Sequence, residues 1–169
     1  LKSNTTPRGS TLEAMNPLTV SLGVTNASFV AQAVDWIPEL LYDIIRQAYL
    51  HRGFSFVRII QRCPEFLPKM FEPWLHDPGR TLLLSHPDGL TLSPEISRTY
   101  KNQIEHDPSN IDRAREIASS EDPIPVGILY RNPEVPCYED LRGAGKLRTT
   151  DQVRGALDGE LDKFTVWPQ

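Results

Sequence analysis

The sequence predicts an α/β domain built on a doubly wound parallel sheet, and three observations carry that prediction. Ser28-Phe29-Val30-Ala31 and Phe54-Ser55-Phe56-Val57-Arg58-Ile59-Ile60 are rich in aromatic and β-branched residues, as strands are. Between them Leu40, Leu41, Ile44, Ile45 and Ala48 recur at helical spacing, which puts one face of a helix on a core. Two strands joined by a helix of this length form a βαβ crossover, which makes the pair parallel.

Met15–Leu22, the first element, reads as a short helix with Pro17 in its first turn, where a missing N–H costs nothing. Ser28–Ala31 is a short buried strand. Pro38 opens the long helix, with Glu39 and Asp43 early and Arg46 and Arg52 late, as the helix dipole favours. Gly53 is expected at its C′ position. Val126-Gly127-Ile128-Leu129-Tyr130 supplies a third strand. A doubly wound sheet usually has five or six strands, so the remainder is expected outside this segment.

Fifteen prolines stand in 169 residues, and eleven of them lie between Pro64 and Pro136. Proline fixes φ and cannot donate to a helix or sheet ladder. Residues 64–109 therefore read as an irregular arm laid over a larger body, with Phe66, Phe71, Trp74 and Leu75 as its docking side chains. Asp107-Pro108 is expected to cap a helix carrying Ile111, Ala114, Ile117 and Ala118. After Arg142 the chain is polar, with one helix around Gln152–Leu157.

Composition narrows the function. Hydrophobic residues make up 39% and charged residues 24%, so the chain is globular rather than disordered. Its net charge of −4 and pI near 5.6 leave no basic surplus for a nucleic acid. No apolar run approaches the ~20 residues of a membrane span. Cys63 and Cys137 are too few for a secreted disulfide framework, and no signal peptide precedes them, so a cytoplasmic chain is expected. The first residue is Leu rather than Met, which points to an incomplete chain.

Few local motifs survive inspection. Arg142-Gly143-Ala144-Gly145-Lys146 suggests a phosphate loop, but Leu147 stands where that loop needs Ser or Thr. The four histidines include no i, i+4 pair, and neither cysteine has a Cys-x-x-Cys partner, which argues against a self-contained zinc site. Cys63 is the informative residue. It lies past the carboxyl end of the Phe54–Ile60 strand, where ligands gather in open parallel sheets, and Pro64 comes next, a common setting for an iron–sulfur ligand. A small buried thiol is the alternative reading.

Thr6-Pro7-Arg8-Gly9-Ser10, Asn16-Pro17-Leu18, Ser28-Phe29-Val30-Ala31 and His51-Arg52-Gly53-Phe54-Ser55-Phe56-Val57 form an ordered set. It continues with Gln61-Arg62-Cys63-Pro64-Glu65-Phe66, Ile124-Pro125-Val126-Gly127-Ile128-Leu129-Tyr130 and Pro136-Cys137-Tyr138-Glu139. Together these phrases, over about residues 1–142, resemble the β subunits of the thiamine-diphosphate-dependent 2-oxoacid:ferredoxin oxidoreductases.

The resemblance implies the C-terminal half of a thiamine-diphosphate-binding sheet with a Pro-rich arm after it. Residues 1–62 would complete the α/β domain, 63–142 would form the β-subunit extension, and 143–169 a polar tail. It implies thiamine diphosphate, Mg²⁺ and a [4Fe–4S] cluster as cofactors, with Cys63 as one cluster ligand. The diphosphate motif and the other ligands would lie upstream of Leu1, leaving no catalytic residue in this segment, which alone is expected to be inactive. Lys2, Thr6 and Arg8 would sit on a substrate loop, Arg8 able to meet a carboxylate bidentately. Cys137 stands where the family more often has Thr, and Gln32 where it more often has Arg. The implied partners are an α subunit, ferredoxin, coenzyme A and a 2-oxoacid, 2-oxoglutarate first, with pyruvate or a branched-chain 2-oxoacid as alternatives. A non-catalytic assembly module is the competing reading from a different class, and an upstream Gly-Asp-Gly and Cys-x-x-Cys would decide against it.

Overall fold

A computed structural model describes residues 6–143 and 149–164. Two compact units are present, residues 1–135 and residues 136–169. The first holds a five-stranded sheet in the order β2-β1-β5-β3-β4. Its strands are β1 (Phe29–Val34), β2 (Ser55–Ile60), β3 (Thr81–Ser85), β4 (Gln103–Glu105) and β5 (Ile124–Arg131).

The predicted crossover is present. β1 and β2 are parallel and in register from Phe29↔Ser55 to Val34↔Ile60, with α2 (Pro38–Leu50) between them in sequence. β3 is parallel to both β4 and β5. The one antiparallel pairing is β1 with β5, which carries a bulge between Val30 and Ala31. The sheet thus consists of two parallel blocks of opposite direction, and their carboxyl ends point to opposite ends of the strands.

Helices cover both faces. Leu40 and Ile44 of α2 pack with Phe29, Ala31, Ala33, Leu83 and Val126 on one side. On the other, Leu18 and Leu22 of α1 (Pro17–Leu22) and Ala114, Ile117 and Ala118 of α5 (Ile111–Ala118) enclose Val30, Leu84 and Leu129. Asn16 couples these two helices. Its Oδ1 accepts from the N–H groups of Leu18 and Thr19 at 3.0 and 3.4 Å, capping α1, while its Nδ2 donates to Ala118 O at 2.7 Å.

Several expectations are corrected here. The Pro-rich stretch is not an arm outside the sheet, because it contributes β3 and β4 and two short helices, α3 (Glu72–His76) and α4 (Pro94–Thr99). β3 lies between β4 and β5, and five strands replace the three counted from sequence. Thr81–Ser85 escaped notice because a short, continuous apolar run has no alternation to mark it as a strand. The docking set also divides: Phe71 and Trp74 pack on the core, with Phe71 against Trp36, whereas Phe66 and Leu75 are 49% and 36% exposed. The cap of α5 is Asn110, whose Oδ1 accepts from Arg113 N at 3.0 Å, rather than Asp107.

Gly53 is not a helix C′ residue either. Its φ is +139°, and a Cβ there would stand 2.7 Å from Ser28 Oγ, inside the link by which Ser28 Oγ–H donates to Phe54 O at 2.9 Å. The second unit contains α6 (Tyr138–Leu141) and α7 (Thr150–Asp162), the latter opened by a capping box of Thr149 and Gln152. Among the described residues no helix is long and apolar enough to cross a membrane.

The core generates two predictions. Gly127 on β5 has φ +146°, and a Cβ would meet Leu84 Cβ at 2.7 Å and Leu84 O at 3.0 Å. Gly127→Ala combines a strained φ with overpacking against β3, so a loss of about 2–5 kcal/mol is expected in urea unfolding. His106 is 3% exposed and donates from Nε2 to Leu129 O at 2.7 Å, and burial holds its imidazole below the ordinary histidine range. The neutral ring is the folded form, so its stabilisation is complete above about pH 6.5 and is lost as pH falls from there toward the folded value. His106→Gln should flatten that part of the stability–pH curve.

Candidate functional site at the carboxyl ends of the first two strands

β1 and β2 end side by side, and the loops that leave them are tied together. Asp35, just past β1, donates its backbone N–H to Ile60 O at 3.0 Å. Its carboxylate accepts from Arg62 N at 3.2 Å and from Arg62 Nε at 3.1 and 3.2 Å. Arg62 is therefore clamped through backbone and side chain together, and Cys63 is the next residue. Cys63 O in turn accepts from Leu67 N at 3.0 Å, closing the turn beyond it. The Cys63 thiol is half-buried and free, at the strand end where the sequence placed it.

Beside this loop lies a cavity of about 350 Å³. Gln32 and Arg58, cross-strand partners on β1 and β2, form its polar side, and Phe71 and Trp74 its aromatic side. Gln32 is 1% exposed; Nε2 donates to Pro125 O at 2.6 Å, and Oε1 is buried with no partner. Burial pulls the Arg58 guanidinium below its ordinary pKa, and the Glu121 carboxylate opposes that shift. At the rim Arg80 pairs with Asp122 and lies 4.6 Å over the Trp74 ring. The Arg80 hydrogen bond holds the Asp122 carboxyl below the usual carboxylate range.

The other sequence-predicted residues lie elsewhere. Thr6 and Arg8 are exposed, in a turn that Gly9 N closes onto Thr6 O at 2.9 Å, and Lys2 lies outside the described residues. Among the described residues neither Cys63, Thr6 nor Arg8 lines the cavity. Cys137, in the second unit, is half-buried at the N-cap of α6, with Sγ donating to Glu139 Oε2 at 2.5 Å. No group of three or more His, Cys, Asp or Glu that could hold a metal ion occurs among the described residues. Sequence reasoning missed Asp35, Arg58 and Arg80. Arg58 left a trace, as a lone charge inside an apolar strand.

Residues 96–145 match the family model of the C-terminal part of pyruvate ferredoxin oxidoreductase β subunits. The chain is 27% identical over 142 residues to a 2-oxoacid:ferredoxin oxidoreductase subunit beta from Sulfolobus, covering 82% of this chain and 43% of that one. It is 37% identical over 70 residues to the 2-oxoglutarate oxidoreductase subunit KorB of Mycobacterium tuberculosis, covering 41% of this chain and 18% of that one. Among solved structures it is similar to the 2-oxoglutarate:ferredoxin oxidoreductase from Magnetococcus marinus, which has 2-oxoglutarate, coenzyme A and succinyl-CoA bound. That match has a TM-score of 0.60 at 26% identity over 90% of this chain and 47% of that one.

Fold and sequence thus point to one class, an α/β chain similar to oxidoreductase subunits. Within that class the chain is a relative of the β subunits of 2-oxoacid:ferredoxin oxidoreductases, as the ordered phrases indicated. It spans less than half the length of each of these relatives.

The Asp35–Arg62 clamp yields a prediction. The pair is partly exposed, with side chains 22% and 51% accessible, so Asp35→Ala should cost about 1 kcal/mol or less in global stability. It should nonetheless loosen the Cys63 loop, and modification of Cys63 by Ellman's reagent should accelerate several-fold while that of Cys137 is unchanged.

Proposed function

We propose that this chain forms part of the β subunit of an enzyme that oxidatively decarboxylates a 2-oxoacid to an acyl-CoA and passes the electrons to ferredoxin. The observation that carries the reading is the free, half-buried Cys63 thiol on a clamped loop at the carboxyl ends of two parallel strands. Similarity over most of the chain to a subunit of such an enzyme supports it. 2-Oxoglutarate is the favoured substrate, because two of the relatives are named for it.

On this reading residues 1–62 belong to the thiamine-diphosphate-binding α/β domain, 63–142 are the β-subunit extension, whose strands β3, β4 and β5 continue the same sheet, and 143–169 are a polar tail. The match over residues 96–145 falls mainly in that extension. The partners are an α subunit and ferredoxin, and the setting is the cytoplasm.

The residues present fit one share of a [4Fe–4S] cluster. A thiolate is the soft ligand that iron in such clusters takes, and Cys63 offers one of the four that such a cluster needs. When bound, the cluster relays single electrons and thiamine diphosphate takes up the electron pair freed by decarboxylation. No residue of this chain is assigned to the diphosphate or to Mg²⁺. The clamp of Asp35 on Arg62 fixes the loop from which Cys63 projects, and the Leu67 N–H on Cys63 O holds the turn beyond it. Lys2, Thr6 and Arg8 supply donors toward the substrate carboxylates, Arg8 by a bidentate pair.

The test is iron content in the assembled enzyme containing this chain. Cys63→Ser replaces a soft thiolate by a hard hydroxyl and should lose most of the cluster iron and sulfide, together with ferredoxin reduction. Cys137→Ser, the matched control, should leave both intact. Full iron content in the Cys63→Ser enzyme would refute the assignment.

A further inference from the structure

Two residues that line the cavity beside the Cys63 loop carry features that protein packing leaves incomplete. Gln32 Oε1 is buried, shielded from water and without a donor. Its orientation is settled, because Nε2 must face the Pro125 carbonyl 2.6 Å away. Buried acceptors are nearly always paired, and one left unpaired costs on the order of 1–3 kcal/mol. Arg58, directly across the strand pair, makes no ion pair among the described residues although it is partly desolvated. Its nearest counter-charge by effect is Glu121, on the exposed rim.

We propose that this cavity is a binding site for a free 2-amino acid with a bulky apolar side chain. The carboxylate pairs with the Arg58 guanidinium, which is built for bidentate contact. The ammonium donates to Gln32 Oε1 and faces Glu121. The side chain lies against Phe71, Trp74 and Met70. Charges of both signs next to an apolar wall match a zwitterion, and about 350 Å³ suits a single small molecule. Oε1 is closed to water, so the ammonium reaches it as the lining side chains rearrange around the ligand. A 2-oxoacid presents an acceptor where Gln32 also presents one, so the site discriminates against that class. This inference stands apart from the cluster assignment and does not depend on it.

The experiment is isothermal titration of the assembled enzyme containing this chain with three ligands that differ only at carbon 2: L-phenylalanine, L-phenyllactate and phenylpyruvate. Saturable binding of phenylalanine is expected, at least tenfold tighter than phenylpyruvate, with phenyllactate between them. Arg58→Gln should weaken phenylalanine binding at least tenfold. Glu121→Gln, an exposed and structurally mild change, should narrow the preference for the amino acid over the hydroxy acid. No saturable binding of phenylalanine, equal affinity for the amino and oxo acids, or unchanged binding in Arg58→Gln would each overturn the proposal. If Arg58→Gln fails to fold, an unchanged preference in Glu121→Gln overturns it alone.

Discussion

The antiparallel contact of β1 with β5 determines where everything else in the first unit can be. Each block of the sheet is parallel within itself, β1 with β2 and β5 with β3 and β4, but the two blocks run in opposite directions. The carboxyl ends of β1 and β2 therefore meet the amino end of β5. That juxtaposition puts Gln32 and Arg58 against Pro125 and Glu121 and builds a cavity that neither block forms alone. Within the second block β5 and β3 also approach closely, and Gly127 of β5 makes that possible, because Leu84 of β3 occupies the space a Cβ would need.

Around that framework the Pro-rich stretch acts as structure rather than as decoration. Prolines open α3 and α4, in the first turn, where a missing N–H costs little. Between them a short turn at Pro78–Arg80 leads directly into β3. Trp74 and Phe71 then cover the face of the sheet beside α2, and Arg80 stacks on Trp74 while holding Asp122 ahead of β5. The wall of the cavity and the anchoring of the sheet are thus the same set of contacts.

The clamp between Asp35 and Arg62 links fold to chemistry. As an exposed ion pair it adds little to stability. Its effect is positional: a carboxylate at the end of one strand fixes the loop that leaves the next, and that loop carries the only cysteine of the first unit.

Local periodicity and residue chemistry were legible in the chain before any fold was known. The helical stripe of α2, the β-rich runs of β1, β2 and β5, Pro17 in the first turn of α1 and the position of Cys63 past a strand end each depend on neighbours along the chain. Other features exist only through distant contacts. β3 has no alternation and β4 is three residues long, so only pairing with other strands makes them strands. The antiparallel reversal at β5 is a choice of partner, and no local pattern encodes it. Gln32 shows the difference most directly. In sequence it is one polar residue in an apolar run, and only the approach of Pro125, 93 positions away, binds one end of its amide and leaves the other without a partner.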